Sequence, residues 1–344
     1  MGHVFDEDVR TLATDARINW DKFDNKRVLV TGATGLIGRL IARALITRNE
    51  VEGIHTKVIL PVRNTERARV LFDASEDTEI VHWDALTTSP DEVPSADYII
   101  HLASNTDSRR MVEAPVETIL TTTRGCECML EVAKRSGASM VFASSMEVYG
   151  AGSDGYISEE EGGALDAMSV RSSYPQAKQL AETLCASYAA EYGVQVTVAR
   201  LAQTFGAGIP ETDRRIFGFV ARNIIAGDDI LLSTDGSKRN MYSYTTDSVR
   251  ALLLLLTRGE AGRAYNVANE RTLTSVRQMC EMVAATFNPK VQVLVATSPQ
   301  DASRFAVSGQ IALDTSRIRA LGFEPDYDLE DLYRRMMADW ECPQ

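Results

Sequence analysis

The stretch Val28-Leu29-Val30-Thr31-Gly32-Ala33-Thr34-Gly35-Leu36-Ile37-Gly38 decides how this chain folds. Its first four residues have the apolar, β-branched character of a buried strand, and three glycines come next at three-residue spacing. A strand that turns in this way into an amphipathic helix, here Leu36 to Ile46, aims the free N–H groups and positive end of that helix at an anion. The pattern reads as a pyrophosphate cradle. A side chain at Gly32 or Gly35 would hold the backbone off the phosphates, and one at Gly38 would push the helix off the sheet.

Strand and helix patterns alternate outward from this turn. Strands are expected at Arg27–Thr31, Lys57–Val62, Glu79–His82, Tyr98–Leu102, Met140–Ser144 and Gln195–Leu201. Helices are expected at Ile37–Thr47, Pro115–Ser136 and Tyr174–Tyr192. Such alternation implies an α/β chain with a doubly wound parallel sheet whose ligands gather at the strand C-termini. Residues 1–25 form a charged amphipathic arm with Phe5, Val9, Leu12 and Ile18 as apolar contacts, read as a packing or dimer extension. After about Phe205 the order loosens, with a short strand near Tyr265–Ala268 and a helix near Thr274–Phe287. Residues 26–205 are therefore assigned to the dinucleotide domain and 206–344 mainly to a smaller substrate domain, with segments crossing back.

A second motif carries chemistry. Tyr174-Pro175-Gln176-Ala177-Lys178 puts a phenol and an ammonium on one helix face, and Ser145 precedes it within Ser144-Ser145-Met146-Glu147-Val148-Tyr149-Gly150. A phenol loses its proton near pH 10, so a neighbouring cation is needed to make it a base at neutrality. A seryl hydroxyl can align the alcohol that gives up its proton.

The G-x-x-G-x-x-G turn, with Ser145, Tyr174 and Lys178 after it, resembles the extended short-chain dehydrogenase/reductases, the nucleotide-sugar epimerase and dehydratase family. His101-Leu102-Ala103-Ser104 and Tyr244-Thr245-Thr246-Asp247 extend the likeness from Lys26 to about Trp340. The resemblance implies a Rossmann-type fold with a smaller C-terminal substrate-binding domain, a nucleoside-diphosphate sugar as substrate, and a homodimer built on helices Pro115–Ser136 and Tyr174–Tyr192. It implies that a nicotinamide cofactor lies on Gly32, Thr34, Gly35, Leu36, Ile37 and Gly38, against Leu102, Ala103 and Ser104, with Tyr174 and Lys178 at its reactive end. Its positive ring, with Lys178, is expected to bring the Tyr174 phenol toward neutral pH. Asp84, with Ala85, matches the family's adenine-contacting acid.

NAD is the cofactor expected from the family's habits. NADP is the alternative, because the second strand ends Leu60-Pro61-Val62-Arg63-Asn64 with no acid, and Arg63 can face a 2′-phosphate.

In the family, oxidation at C4 of the sugar gives a 4-keto intermediate, and the residues beside the sugar decide its fate. The expected set is Ser104, Ser145, Met146, Glu147, Gln203, Thr204, Arg215 and Arg239, with Glu147 as base or orienting group. Where 4,6-dehydratases carry Thr-Asp-Glu this chain has Ser145-Met146-Glu147, and a thioether cannot protonate a leaving hydroxyl. Nucleotide-sugar uronate decarboxylases resemble it too, through Thr-Ser-Glu and an Arg-x-x-x-Thr-Phe-Gly like Arg200-Leu201-Ala202-Gln203-Thr204-Phe205-Gly206. There the family's Asn is Gln203, and the basic residue expected at Asn240 is displaced to Arg239, beside Lys238. Epimerisation asks least of the site and is the leading expectation. Decarboxylation, dehydration and NADPH-dependent keto-sugar or ketone reduction are the alternatives, and the retained Ser145, Tyr174 and Lys178 argue against a non-catalytic dinucleotide sensor. Arg200, Arg215 and Arg239 are the candidate phosphate forks.

The 344 residues carry a net charge of −12, which disfavours nucleic acid or an anionic membrane as partner. The longest apolar run, Ala251 to Leu256, is too short to span a bilayer, and the polar N-terminus lacks a signal-peptide core. Five scattered cysteines, Cys126, Cys128, Cys185, Cys280 and Cys342, read as free thiols in a cytoplasmic protein. They and the four histidines form no metal-type cluster, and His101 reads as structural.

Overall fold

The computed structural model describes residues 2–72, 75–153, 155–296 and 309–341. Seven parallel strands form the central sheet: β1 (Arg27–Thr31), β2 (Lys57–Val62), β3 (Thr78–His82), β4 (Tyr98–His101), β5 (Ser139–Ser145), β6 (Val196–Leu201) and β7 (Ala264–Val267). Their order is 7-6-5-4-1-2-3. The chain builds outward from β1 to β3 and then returns to lay β4 on the other side of β1. The reversal thus falls between β1 and β4, where Thr31 stands beside His101. A crevice opens at the carboxyl ends of strands that diverge in this way.

The strands are apolar on both faces because helices cover both. Val28 and Val30 pack with Leu40, Ile41, Leu45, Leu252 and Leu255, whereas Leu29 turns to the opposite core with Ile99, Cys126, Met129 and Cys185. The run Ala251 to Leu256 lies within the helix Thr245–Arg258 of the first of these layers. The helix after the glycine turn, Leu36–Glu52, stops at Gly53, whose φ of +65° closes it. The strand expected near Tyr265 is β7 (Ala264–Val267), and it returns to the edge of the large sheet beside β6. The helix expected from Thr274 starts only at Val276, because Asn269–Ser275 is a strand and Ser275 caps the helix through Gln278 N–H.

A smaller sheet forms from segments far apart in the chain. Asn269–Ser275, Arg239–Tyr244, Gln310–Leu313 and Tyr156–Ile157 lie in that order, and Gln203–Phe205 also pairs with Arg239–Tyr244. Beside it, Phe205 stacks on Phe217 with ring centres 4.5 Å apart and meets Tyr333 edge-on at 5.1 Å.

The N-terminal arm is a packing element. Phe5, Val9, Leu12 and Ile18 are all buried, and the helix His3–Ala13 lies against the C-terminal helix Leu329–Glu341. Asp339 accepts from Phe5 N–H at 3.0 Å and from Gly208 N–H at 2.8 Å. Asp8, fully buried, accepts from the hydroxyl of Tyr244 and from Arg335. Among the described residues no helix is long and apolar enough to cross a membrane.

Candidate active site

The glycine turn fits a dinucleotide pyrophosphate, though its glycines divide the work differently from the sequence reading. Gly32, at φ +69°, would place a Cβ 3.0 Å from Ala103 N and the Leu102 carbonyl carbon, so it lets the ends of β1 and β4 touch rather than clearing room for phosphate. A Cβ on Gly38 would lie 2.3 Å from Gly32 O, which would force the helix away from the turn as expected. Gly35 is exposed, donates to Gly32 O at 2.9 Å and opens the helix in an extended conformation. Thr34, Leu36 and Ile37 frame it on a partly open surface. The free N–H groups of this 17-residue helix start here.

Thr31 locks the two strand ends together. Its hydroxyl oxygen accepts from Leu102 N–H and Ala103 N–H, each at 3.1 Å, which leaves its proton for His101 Nδ1 at 2.7 Å. His101 therefore carries its own proton on Nε2, buried without a partner. Burial, and then the charge of Lys178, push its pKa down to about 3, so it is a neutral packing group. At the end of β2, Arg63 extends into solvent with Glu117 3.7 Å away. Asp84 folds back to accept from Leu86 N–H, Ala85 packs beside Gly125, and Ser104 bonds Thr122 at 3.1 Å.

Ser145 ends β5, and its hydroxyl accepts from Glu147 N–H at 3.2 Å, capping the short turn Met146–Tyr149. Tyr174 sits in the first turn of the helix Ser173–Tyr192, buried, with the Ser145 side chain among the groups that act on its phenol. Ser173 Oγ donating to Met111 O and Gln179 donating to Val148 O fix how that helix docks. Lys178 is one turn further, and its ammonium donates to Ala143 O at 2.7 Å, 5.8 Å from the centre of the Tyr174 ring.

Burial lowers the Lys178 ammonium to about 8. Tyr174 departs from expectation. Burial first, and the Glu147 charge second, push its phenol above the ordinary value, opposed by Ser145 and Arg171. Lys178 spends its proton on a carbonyl and is not among the groups that lower the phenol, so the chain's own residues do not make Tyr174 a base at neutral pH. A positive ring stacked over the pair would act in the required direction.

Several residues expected beside the sugar have other partners. Met146 is buried in an apolar cluster with Val148, Ile157 and Met241, so its thioether packs the small sheet. Thr204 is buried and bonded to Ser248, and Gln203 is partly exposed in the strand next to Tyr242. Arg200 is a structural ion: it pairs with Glu182 at 2.7 Å and donates to Tyr149 Oη and Glu159 O, with no face left for a phosphate. Arg215 turns its fork onto Asp213. Arg239 points to solvent, and Asn240 is buried beside it.

Two further cations act at Glu147: Arg171, which the sequence reading missed, and Lys238, which it weighed only as the neighbour of Arg239. Arg171 donates to Glu147 Oε2 at 3.0 Å, and burial holds the Lys238 ammonium below its ordinary pKa, with the Glu147 charge opposing and the Arg171 charge adding to that shift. The signal for Arg171 was its place one helical turn before Tyr174, in Arg171-Ser172-Ser173-Tyr174; nothing in the sequence singled out Lys238 over Arg239. Among the described residues, no three histidine, cysteine or acidic side chains cluster to hold a metal. Cys126, Cys128, Cys185 and Cys280 are free and buried, and Cys342 lies outside the described residues.

Comparison with known proteins agrees with this geometry. The model of the NAD dependent epimerase/dehydratase family matches residues 28–268. UDP-glucuronic acid decarboxylase 1 of Danio rerio is 29% identical over 76% of this chain and 62% of its own length. UDP-glucuronic acid decarboxylase 6 of Arabidopsis thaliana is 28% identical over 92% of this chain and 89% of its own. The chain thus spans less than two thirds of the Danio protein. Among solved structures, epimerase Mth375 of Methanothermobacter thermautotrophicus superposes with a TM-score of 0.78 at 22% identity, covering 98% of this chain and 96% of that one. The dTDP-glucose 4,6-dehydratase DesIV of Streptomyces venezuelae, with NAD bound, gives 0.75 at 22% identity, covering 92% and 97%. With the glycine turn, Ser145, Tyr174 and Lys178 in this order and place, the chain belongs to the NAD dependent epimerase/dehydratase family of extended short-chain dehydrogenases.

Proposed function

We propose that the protein acts on a nucleoside-diphosphate sugar, oxidising C4 to a ketone, transforming the keto sugar and restoring C4, with the cofactor retained throughout. The observation that carries this reading is Ser145 at the carboxyl end of β5 with Tyr174 buried in the first turn of the helix Ser173–Tyr192 and the Lys178 ammonium 5.8 Å from its ring. A bound nicotinamide supplies the hydride exchange at C4. The Ser145 hydroxyl orients the C4 oxygen, and Tyr174 Oη takes its proton and later gives it back. The Lys178 ammonium holds positive charge beneath the phenol, and the closed packing around Tyr174 keeps bulk water off the exchange.

Decarboxylation of a 4-keto uronic acid is the outcome best supported. A carboxylate on C5 lies β to the new ketone, so the C5–C6 bond breaks, CO2 departs and its electron pair passes through C5 onto the C4 oxygen, facing Ser145 and Tyr174. C5 then takes a proton drawn from solvent, with Glu147 proposed as the group that relays it. Support comes from the retained Glu147, from Met146 where dehydration needs an acid, and from the decarboxylases among the curated relatives. Epimerisation at C4 is the second reading, favoured because it asks only for Ser145, Tyr174 and Lys178.

NAD is the proposed cofactor. NADP is the alternative, favoured by the solvent-facing Arg63 and the absence of an acid at the end of β2. A cytoplasmic homodimer is proposed through the helices Pro115–Ser136 and Ser173–Tyr192, which pack together and leave Val116, Ile119 and Leu180 exposed.

Incubation with NAD and UDP-glucuronate labelled at the C6 carboxyl tests the reaction. Labelled CO2 and a UDP-pentose product are expected. Interconversion of UDP-glucose and UDP-galactose with no CO2 release would favour the second reading. Tyr174→Phe should abolish turnover at unchanged dinucleotide affinity, and an active variant would overturn the mechanism.

A further inference from the structure

A ligand that touches both the glycine turn and the small sheet is held well only if the two stand in a fixed relation, and the N-terminal arm reaches both. The helix His3–Ala13 packs along the helix Leu36–Glu52 that follows the glycine turn, with Phe5, Val9 and Leu12 in one apolar cluster with Leu40 and Ile41. The same short helix gives Asp8 to the hydroxyl of Tyr244, in the small sheet, and to Arg335.

These contacts converge on Gly208, in the loop that leaves the strand Gln203–Phe205. Arg39, three residues into the helix Leu36–Glu52, donates to Gly208 O at 2.7 Å, and Asp339 accepts from Gly208 N–H at 2.8 Å. Phe5 joins the two: the Arg39 guanidinium lies 4.4 Å from its ring centre, and its N–H goes to the other oxygen of Asp339 at 3.0 Å. Gly208 has a φ of +87°, and a Cβ there would come 2.5 Å from Phe5 Cδ2 and 2.6 Å from Arg39 Nη2, so the arrangement demands glycine. Trp340 holds the next residue, donating to Ile209 O at 2.6 Å. Arg39 is an expensive choice for packing alone. It stands near the positive end of its helix, its Nε is buried without a partner, and burial lowers its pKa below the usual guanidinium range. An apolar side chain of similar length would lie on Phe5 at less cost. What the guanidinium adds is its hold on Gly208 O.

We propose that Gly208 is a latch point at which the N-terminal arm sets the small sheet against the helix of the glycine turn, with Phe5, Arg39 and Asp339 as positioning residues for the nucleotide sugar. This rests on the reading given above, in which the dinucleotide lies on the glycine turn and the nucleotide sugar also meets the half that carries Gln203–Phe205. The three side chains act through the loop and not on the ligand. Releasing the latch leaves the glycine turn whole, so dinucleotide affinity persists. The loop then samples other positions, and the affinity for the second ligand falls in proportion to the time the latched arrangement is lost.

Calorimetric titration of the full chain with NAD, and of the NAD-loaded chain with UDP, dTDP, GDP and CDP in turn, tests this. Arg39→Met keeps a stem over Phe5 and removes the donor. It should weaken the tightest of the four diphosphates about fivefold or more while NAD affinity changes less than about twofold, and Arg39→Lys, whose ammonium can again donate to a carbonyl, should recover most of the loss. Asp339→Asn, which keeps the volume but only one acceptor oxygen, should show the same split. Hydrogen exchange over residues 203–210 should quicken in Arg39→Met and Asp339→Asn, with residues 28–38 unchanged. Native diphosphate affinity in Arg39→Met would overturn the latch and leave the nucleotide-sugar reading standing. An equal loss of NAD and diphosphate would also overturn it, by placing Arg39 in the service of the glycine turn. A native chain that binds none of the four diphosphates would overturn the nucleotide-sugar reading and the latch together.

Discussion

Arg200→Met should cost stability and leave nucleotide affinity alone, which separates a structural ion from a phosphate fork. Arg200 and Glu182 keep only 13% and 12% of their side-chain surface in water. The guanidinium makes three contacts to Glu182 at 2.7–3.1 Å and two more to Tyr149 and Glu159. Methionine fills a similar volume but, among the described residues, leaves the Glu182 carboxylate with only the Ser144 hydroxyl as hydrogen-bond donor. Removing one partner of a buried pair costs about 3–5 kcal/mol. For 344 residues the unfolding entropy is about 0.7 kcal/mol per kelvin, so the melting temperature should fall by about 4–7 °C. Differential scanning calorimetry measures that fall, and titration with the nucleotide sugar at 15 °C measures affinity on folded protein. The double variant Arg200→Met/Glu182→Leu should recover most of the loss, because no unpaired charge remains. A melting temperature within 1 °C of the native value, combined with a tenfold loss of nucleotide affinity, would refute this assignment and return Arg200 to the phosphates.

Gly38→Ala should lower dinucleotide affinity at least tenfold in a titration, since its Cβ would meet Gly32 O at 2.3 Å and open the turn; native affinity would show that the turn does not hold the pyrophosphate. Arg63→Ala should weaken NADP more than tenfold and NAD less than threefold if Arg63 meets a 2′-phosphate; equal losses would remove that role. Burial raises Asp8 from 3.8 to about 6, so between those values the folded chain holds a proton that the unfolded chain has released. Stability should therefore fall by up to about 3 kcal/mol as pH rises from 4 to 6, a trend that Asp8→Asn should flatten in urea titrations.

The first half of the chain was legible because its determinants are local. A strand, a three-glycine turn and a helix succeed one another without interruption, and the Tyr174–Lys178 pair sits on one helix face. The smaller sheet hid itself because its strands are short and come from five distant segments, so that Gln203–Phe205 finds Tyr242–Tyr244 only in three dimensions. Charge partners hid for the same reason. Arg200 reads as a phosphate fork until Glu182 and Tyr149 are seen around it. Tyr174 shows the opposite limit: its neighbour Lys178 was correctly placed on the same helix face, but the ammonium had a carbonyl to satisfy first.

The bond from Phe5 N–H to Asp339, with Asp8 held by Arg335, brings the two termini of the described chain side by side. Helices that adjoin in this way are covalently linkable: a cross-link between His3–Ala13 and Leu329–Glu341 would fasten the arm without touching the β-layers. The same adjacency fastens both helices to one strand of the small sheet, because Asp8 and Arg335 each bond the hydroxyl of Tyr244.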